Sequence, residues 1–148
     1  MSFQNTKGNV IIMLKLIMGK KGSGKTKMFI ELVNSALKEE QGDVVCVERG
    51  RRLVYDIPHA VRLVETEDLG ITNHDVFRGF ITGLHAGNYD ITHMFFDSFL
   101  GILDGKLDEK SDNFFEWCEK FGEAENIKFT MMISADPAEA TEVMRRYL

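Results

Sequence analysis

The feature that most constrains this chain is a glycine-rich loop, Gly19-Lys20-Lys21-Gly22-Ser23-Gly24-Lys25-Thr26. The loop fits the spacing G-x-x-x-x-G-K-[ST] at every position. A short apolar run over residues 14–18 precedes it, and residues 25–40 follow with apolar side chains at helical spacing. Glycine permits backbone angles that other residues rarely adopt, so successive N–H groups can point at one anion. The sequence therefore predicts a phosphate-binding loop between a buried strand and a helix.

The residue types in this loop fit a nucleoside triphosphate held with Mg²⁺. The helix that follows points its positive end at the phosphates. Lys25 is predicted to neutralise the β- and γ-phosphates as a catalytic residue, and the Thr26 hydroxyl to ligate Mg²⁺. Lys20 and Lys21 either hold phosphate oxygens or are solvated loop charges. The predicted nucleotide-binding residues of the loop are Gly19, Lys20, Lys21, Gly22, Ser23, Gly24, Lys25 and Thr26.

An aspartate at the end of a later strand completes the predicted metal site. The apolar run Met94-Phe95-Phe96 ends at Asp97, in the manner of a strand whose terminal aspartate holds Mg²⁺ through a water. The alternative is an aspartate that caps a turn. The predicted metal ligands are Thr26 and Asp97.

Strand and helix patterns alternate along the chain. The strand patterns are continuous apolar runs, which are typical of parallel strands covered on both faces. The sequence thus predicts an α/β fold, a three-layer αβα sandwich with a mostly parallel sheet. Residues 13–148 form the predicted nucleotide-binding domain, and residues 1–12 an N-terminal extension. The predicted strands cover residues 14–18, 44–47, 61–64, 93–96 and 129–133, the third of them near a sheet edge.

Two further helix starts are predicted from local signals. Ser111 is expected to cap one helix. Asp136, Pro137 and Glu139 combine a cap, a first-turn proline and a carboxylate at the third position, so they are expected to start the final helix. The side chains expected on the inner faces of these helices are Phe114, Trp117, Cys118, Phe121, Ala140, Val143, Met144 and Tyr147.

Length, charge and cysteine content narrow the class of function. A chain of 148 residues suits one domain. The net charge of −5 gives no long-range attraction to nucleic acid, so no nucleic-acid partner is expected. The sequence has no apolar stretch of ~18 residues that could span a membrane, and no signal peptide. Cys46 and Cys118 are predicted to be buried, reduced thiols, as in a cytoplasmic protein.

Four segments carry a resemblance to the P-loop NTPase superfamily: LIMGKKGSGKT, VVCVERG, YDITHMFFD and FTMMISADP. Among these, LIMGKKGSGKT is highly specific. More narrowly, the chain resembles the RecA-like division and small bacterial single-domain ATP-binding proteins, some of them labelled as relatives of the twitching-motility ATPase. The resemblance implies a P-loop NTPase fold in which one strand separates the strand of the glycine-rich loop from that of Asp97. Ser134 ends this intervening strand and would sense the γ-phosphate, or is an ordinary strand-end serine.

The same resemblance favours ATP over GTP. GTPases have D-x-x-G after the metal-side strand, whereas Asp97 is followed by Ser98-Phe99-Leu100, and the chain has no N-K-x-D guanine motif. We therefore expect ATP with Mg²⁺ as the bound cofactor.

The group that would activate water for hydrolysis stays open in the sequence. Many ATPases of this division have a glutamate directly after the metal-side aspartate, where this chain has Ser98. Glu48, at the end of the second strand, is the predicted catalytic alternative; otherwise it pairs with Arg49 or Arg51. For Arg49, Arg51 and Arg52 three roles stay open: binding a phosphorylated acceptor, stabilising the γ-phosphate of a neighbouring subunit, or facing solvent.

These features together predict an ATP·Mg²⁺-binding protein that hydrolyses slowly, as a regulatory or accessory ATPase. Two alternatives stay open. One is a small-molecule or nucleotide kinase whose acceptor binds the arginines, and the other is a non-catalytic nucleotide-dependent switch that presents a surface to a partner. The sequence also leaves open whether the chain forms a homo-oligomer or binds another protein.

Overall fold

The computed structural model of the protein describes residues 11–103 and 105–148, so most of the expected extension over residues 1–12 lies outside it. The strands are β1 Leu14–Gly19, β2 Asp43–Glu48, β3 Arg62–Glu65, β4 Ile91–Phe96 and β5 Lys128–Ser134. The helices are α1 Lys25–Glu39, α2 His74–Gly87, α3 Phe99–Leu103, α4 Glu109–Glu125 and α5 Glu142–Arg145, with one 3-10 turn at Pro137–Glu139. No helix within the described residues is both long and apolar enough to cross a lipid bilayer.

The five strands form one sheet in the order β1-β5-β4-β2-β3, and every strand pairing is parallel. The predicted α/β class and parallel sheet are therefore confirmed. β3 lies at the edge of the sheet, as the sequence predicted. β5 lies between β1 and β4, which also agrees with the expected intervening strand. Because parallel strands end at the same edge, the residues that follow β1, β2, β4 and β5 are brought close together.

Helices cover both faces of the sheet, and each face has its own apolar core. Successive side chains of a strand point to opposite faces. In β2, for example, Val45 and Val47 belong to the core under α2, α3 and α4, whereas Cys46 belongs to the core under α1. The first of these cores is rich in aromatic rings, including Phe77, which lies 5.3 Å from the Phe96 ring. The continuous apolar runs of the sequence thus reflect burial on both faces.

The start of α4 differs from the prediction. Asp108, and not Ser111, is the N-cap, and its carboxylate accepts hydrogen bonds from the backbone N–H groups of Lys110 and Ser111. Ser111 lies three positions later and returns the contact, since its hydroxyl accepts from the Asp108 N–H at 2.8 Å. A serine at that position completes a capping box with an acidic cap, which explains why both residues carry a cap signal.

The final helix also differs from the prediction. Asp136 caps only the 3-10 turn, because Ala140 adopts an extended backbone and buries its side chain in the core. Thr141 then caps α5, its hydroxyl accepting from the Met144 N–H at 3.1 Å. Ala140, Met144 and Tyr147 are buried as predicted, whereas Val143 is only half-buried. One expected helix is therefore a 3-10 turn followed by a separate short helix.

Candidate functional site

The glycine-rich loop, residues 19–26, joins β1 to α1 at the carboxyl edge of the sheet. Gly22 and Gly24 have φ angles of 86° and 84°, in the left-handed region that side chains disfavour. The Ser23 N–H donates to the Lys20 carbonyl at 3.1 Å and closes a four-residue turn in the first half of the loop. The spacing of the glycines therefore corresponds to a real backbone requirement at two positions.

The N-terminus of α1 has no side-chain cap within the part of the chain that the structure describes. Its N-cap residue is Gly24, which has no side chain to accept a hydrogen bond, and its first turn contains no acidic residue. Side chains cap α2, α4 and α5, through Asn73, Asp108 and Thr141 respectively. The first N–H groups of α1 and the positive end of its dipole are thus left to an external acceptor, and an anion suits both.

The three lysines of the loop have different surroundings. The Lys25 ammonium donates to the backbone carbonyl of Lys20 at 2.9 Å, so its side chain folds back over the loop. Lys20 itself points elsewhere: its ammonium lies 3.3 Å from a carboxylate oxygen of Asp136, beyond β5. Lys21 lines a cavity beside the loop. Lys21 and Lys25 are therefore closer to the candidate site than Lys20.

A cavity of about 600 Å³ lies between the glycine-rich loop and the residues after β4 and β5. Its size falls in the range typical of small-molecule sites. Seven predicted site residues line it, namely Lys21, Gly22, Gly24, Lys25, Thr26, Asp97 and Ser134. Four residues that the sequence did not assign to the nucleotide site also line it, namely Arg52, Ser98, Leu100 and Gly101.

The remaining predicted site residues lie outside the described lining of this cavity. Gly19 is buried at the end of β1, opposite Ser134 in the sheet, and Ser23 is exposed. Glu48 is buried, with only 2% of its surface exposed. Its carboxylate accepts from the Leu53 N–H at 3.2 and 3.4 Å, so it fixes the loop after β2. The catalytic role expected for Glu48 stays a prediction.

The arginines after β2 do not form one patch. Arg49 donates to the Gly101 carbonyl at 2.8 Å, and Arg51 donates to a Glu65 carboxylate oxygen at 2.8 Å. The expected alternative, a pairing of Glu48 with Arg49 or Arg51, is therefore wrong, because both arginines have other partners. Arg52 reaches into the cavity.

Arg52 contacts the two residues that follow β4. Its Nη2 donates to the Ser98 hydroxyl at 3.0 Å and lies 3.6 Å from Asp97 Oδ2. The sequence contained a signal for this contact, namely three arginines directly after a strand-ending glutamate. It did not reveal that β2 lies between β3 and β4, which brings Arg52 beside the end of β4.

Two carboxyl groups lie at the ends of these neighbouring strands, and burial raises the pKa of each. For Asp97, burial raises the pKa, whereas the charges of Arg52 and Lys25 act in the opposite direction. For Glu48, burial and the charge of Asp97 raise the pKa, whereas the Leu53 N–H lowers it. A cation in the cavity would therefore favour the ionised form of Asp97.

The oxygen donors in the cavity can hold Mg²⁺ only when waters or phosphates supply the remaining ligands of the ion. Thr26 offers a hydroxyl and Asp97 a carboxylate, both of the hard oxygen type that Mg²⁺ prefers. Across residues 11–103 and 105–148, no group of three or more His, Cys, Asp or Glu side chains could hold a metal ion. Mg²⁺ is commonly bound through one or two protein ligands together with waters and phosphates, and these two residues match that pattern.

The fold and this geometry define an α/β protein with an all-parallel five-stranded sheet and a candidate site at its carboxyl edge. In comparisons with known proteins, no family model matches the chain and no curated protein matches it. Function must therefore be inferred from the site itself.

Proposed function

We propose that this protein binds ATP together with Mg²⁺ in the cavity between the glycine-rich loop and Asp97, as a member of the RecA-like P-loop NTPases. One observation carries the proposal: the uncapped N-terminus of α1, Lys25, Thr26 and Asp97 all adjoin one cavity of about 600 Å³. An Mg²⁺-nucleotide requires N–H donors and a cation for its phosphates, and hard oxygen ligands for its metal ion.

Each residue has a definite part in this proposal. The N–H groups of residues 22–26 hold the phosphate oxygens, and Lys25 turns from the Lys20 carbonyl to the β- and γ-phosphates. Thr26 holds the metal, and Asp97 orients its water. Bound Mg²⁺ supplies charge neutralisation on the β- and γ-phosphates. Ser134, which ends β5 beside Gly19 and lines the cavity, senses the terminal phosphate.

The choice of ATP follows from the sequence after Asp97 and from the sheet order. Ser98-Phe99-Leu100 replaces the D-x-x-G pattern of GTPases, and the position of β5 between β1 and β4 is the order expected of the RecA-like division. Both features support an adenine nucleotide.

Slow hydrolysis is the activity that the surroundings of Asp97 support best. Ser98 cannot act as a base for water, and its hydroxyl accepts a hydrogen bond from Arg52. Glu48 is buried and bound to the Leu53 N–H. We therefore propose a regulatory or accessory ATPase that binds ATP and hydrolyses it slowly.

A kinase is the second candidate, because another cavity of about 330 Å³ shares α3 with the first. Its lining includes Arg49, Glu67 and Thr72, which offer charged and hydroxyl groups to a polar acceptor. Measuring ATP consumption with and without a panel of nucleosides and metabolites separates the two functions. Consumption that depends on an acceptor would replace the ATPase proposal.

Isothermal calorimetry with ATP, ADP and GTP, each with and without Mg²⁺, tests the main proposal. We expect ATP to bind more tightly with Mg²⁺ than without it, and more tightly than GTP. Absence of binding by all three nucleotides would overturn the proposal. Tight ATP binding without phosphate release in a single-turnover assay over hours would replace slow hydrolysis with a non-catalytic switch.

A further inference from the structure

The contact between Arg52 and Asp97 joins a mostly exposed cation to a mostly buried anion. The Arg52 side chain is 69% exposed, the Asp97 side chain only 14%, and the shortest distance between their charged atoms is 3.6 Å. Because the guanidinium is solvated and the distance is long for an ion pair, the contact holds the Arg52 side chain only weakly. Of the two partners, the arginine is the one with room to move.

Two hydrogen bonds, one from a backbone N–H and one from a side chain, hold the loop around Arg52 in place. The next residue, Leu53, is buried, and its N–H is bound by the Glu48 carboxylate. Three residues earlier, Arg49 donates to the Gly101 carbonyl. The base of the Arg52 side chain is therefore fixed at the cavity, while its guanidinium has freedom to move across it.

We propose that Arg52 is an exchangeable counter-ion of Asp97, which it neutralises while no metal is bound and leaves for the terminal phosphate of ATP when Asp97 engages hydrated Mg²⁺. This inference rests on the proposed function and assigns one residue the task of distinguishing a nucleoside triphosphate from a diphosphate.

The chemistry of the two side chains supports the exchange. A hydrated divalent ion at the Asp97 carboxylate repels a guanidinium on the same carboxylate and so weakens the contact with Arg52. The freed guanidinium is planar and suits two-pronged binding to phosphate oxygens. Lys21 and Lys25 belong to the glycine-rich loop, whereas Arg52 is the cation that lines the cavity beside Asp97, so it can add a second contact to the γ-phosphate.

The first test compares Arg52→Gln with Arg51→Gln. The second variant is a matched control, because Arg51 is the adjacent residue, loses the same charge and pairs with Glu65 outside the described cavity lining. In calorimetry with Mg²⁺, Arg52→Gln should weaken ATP binding by about tenfold or more, the effect of losing a hydrogen bond to a charged group. Its ADP binding should change by less than about threefold, and Arg51→Gln should leave both nucleotides within about threefold.

The second test measures Mn²⁺ binding to the nucleotide-free chain by electron paramagnetic resonance. Arg52→Gln should bind Mn²⁺ several-fold more tightly than Arg51→Gln, because the competitor for Asp97 is gone while the total charge is the same. The double variant with Arg52→Gln and Asp97→Asn should lose this gain in Mn²⁺ affinity. Far-UV circular dichroism and thermal unfolding check that each variant is folded. Because the Arg52 side chain is mostly exposed, Arg52→Gln is expected to fold like the wild type.

The outcomes separate this inference from the proposed function. If the wild-type chain binds no ATP·Mg²⁺, both fail. If it binds ATP but Arg52→Gln weakens ATP and ADP equally, or behaves like Arg51→Gln in both tests, the exchange is wrong and the ATP site stands.

Discussion

The Lys25 ammonium donates a hydrogen bond to the backbone carbonyl of Lys20, 2.9 Å away, across the mouth of the glycine-rich loop. The lysine thus occupies the rim of the space that phosphates would enter, with its own loop carbonyl as acceptor. A phosphate oxygen is a stronger acceptor for an ammonium than a neutral carbonyl, so an incoming anion would take over this hydrogen bond.

Lys25→Ala should therefore weaken ATP binding by about 100-fold or more, because a charge-assisted contact is lost. Calorimetry measures the effect, and Lys27→Ala, which removes an exposed lysine two residues along α1, is the control. Thermal unfolding of both variants should match the wild type. An unchanged ATP affinity in Lys25→Ala would remove the basis of the nucleotide site.

Asp97→Asn should reduce ATP binding in Mg²⁺ by about tenfold or more and reduce it much less without metal. The amide keeps the size of the side chain but loses the charge that orients a metal-bound water. Calorimetry at two Mg²⁺ concentrations and in EDTA measures the difference. Equal losses with and without metal would mean that Asp97 has only a structural role.

Glu48→Gln should leave the free energy of unfolding at pH 7 unchanged or increased. Burial raises the pKa of Glu48, so its ionised form is less favourable in the folded chain than in the unfolded one. The wild type therefore loses stability as the pH rises above the ordinary glutamate value of 4.5, and the variant does not. Glutamine keeps an oxygen for the Leu53 N–H, whereas Glu48→Ala leaves that N–H without an acceptor and should destabilise the chain.

Urea unfolding between pH 4.5 and pH 8 measures this difference, which should grow with pH. If Glu48→Gln lost as much stability at pH 7 as Glu48→Ala, the result would contradict this prediction. The same Glu48→Gln variant tests catalysis in a single-turnover assay: slower phosphate release at an unchanged ATP affinity is the result expected of a catalytic Glu48, and an unchanged rate would rule that role out.

Glu40→Gln should destabilise the chain at neutral pH. Burial alone would raise the pKa of Glu40, but the neighbouring side chains of His93, Lys128 and Thr92 outweigh burial and lower the pKa to about 2. The Lys128 ammonium lies 2.8 Å from the Glu40 carboxylate, which is only 10% exposed. The pKa shift corresponds to at most about 3 kcal/mol of stability at pH 7.

Because the pKa of Glu40 is lowered by folding, this stability is present above the unfolded value of 4.5 and is lost as the pH falls toward 2. The difference between wild type and Glu40→Gln should therefore shrink over that range in urea unfolding. Glu39→Gln changes the neighbouring exposed carboxylate and should show a much smaller effect. A stability difference between wild type and Glu40→Gln that stays constant from pH 7 to pH 2.5 would contradict the lowered pKa of Glu40.

The parts of the fold that the sequence predicted well are those with strong local signals. The apolar run before Gly19 and the helical spacing after Thr26 placed β1 and α1 within a residue or two. Local signals failed where two residues satisfied one pattern, as Asp108 and Ser111 did at the start of α4. They failed again at Ala140, where burial in the core requires an extended backbone that interrupts the final helix.

The candidate site was predictable as far as it is continuous in sequence. Five residues of the glycine-rich loop line the cavity together with Asp97. The contact of Arg52 with Asp97, in contrast, depends on the sheet order that sets β2 beside β4. No periodicity in the sequence reports which strands are neighbours. The burial of Glu48 was not predictable from the strand pattern either, since it depends on the conformation of the loop that returns through Leu53.

The insertion of β5 between β1 and β4 fixes a distance as well as an order. Neighbouring strands are about 4.8 Å apart, so β1 and β4 are separated by two such spacings, about 9.5 Å. A ligand that contacts both the glycine-rich loop and Asp97 must bridge two strand spacings, with anionic groups at the loop and a cation at Asp97.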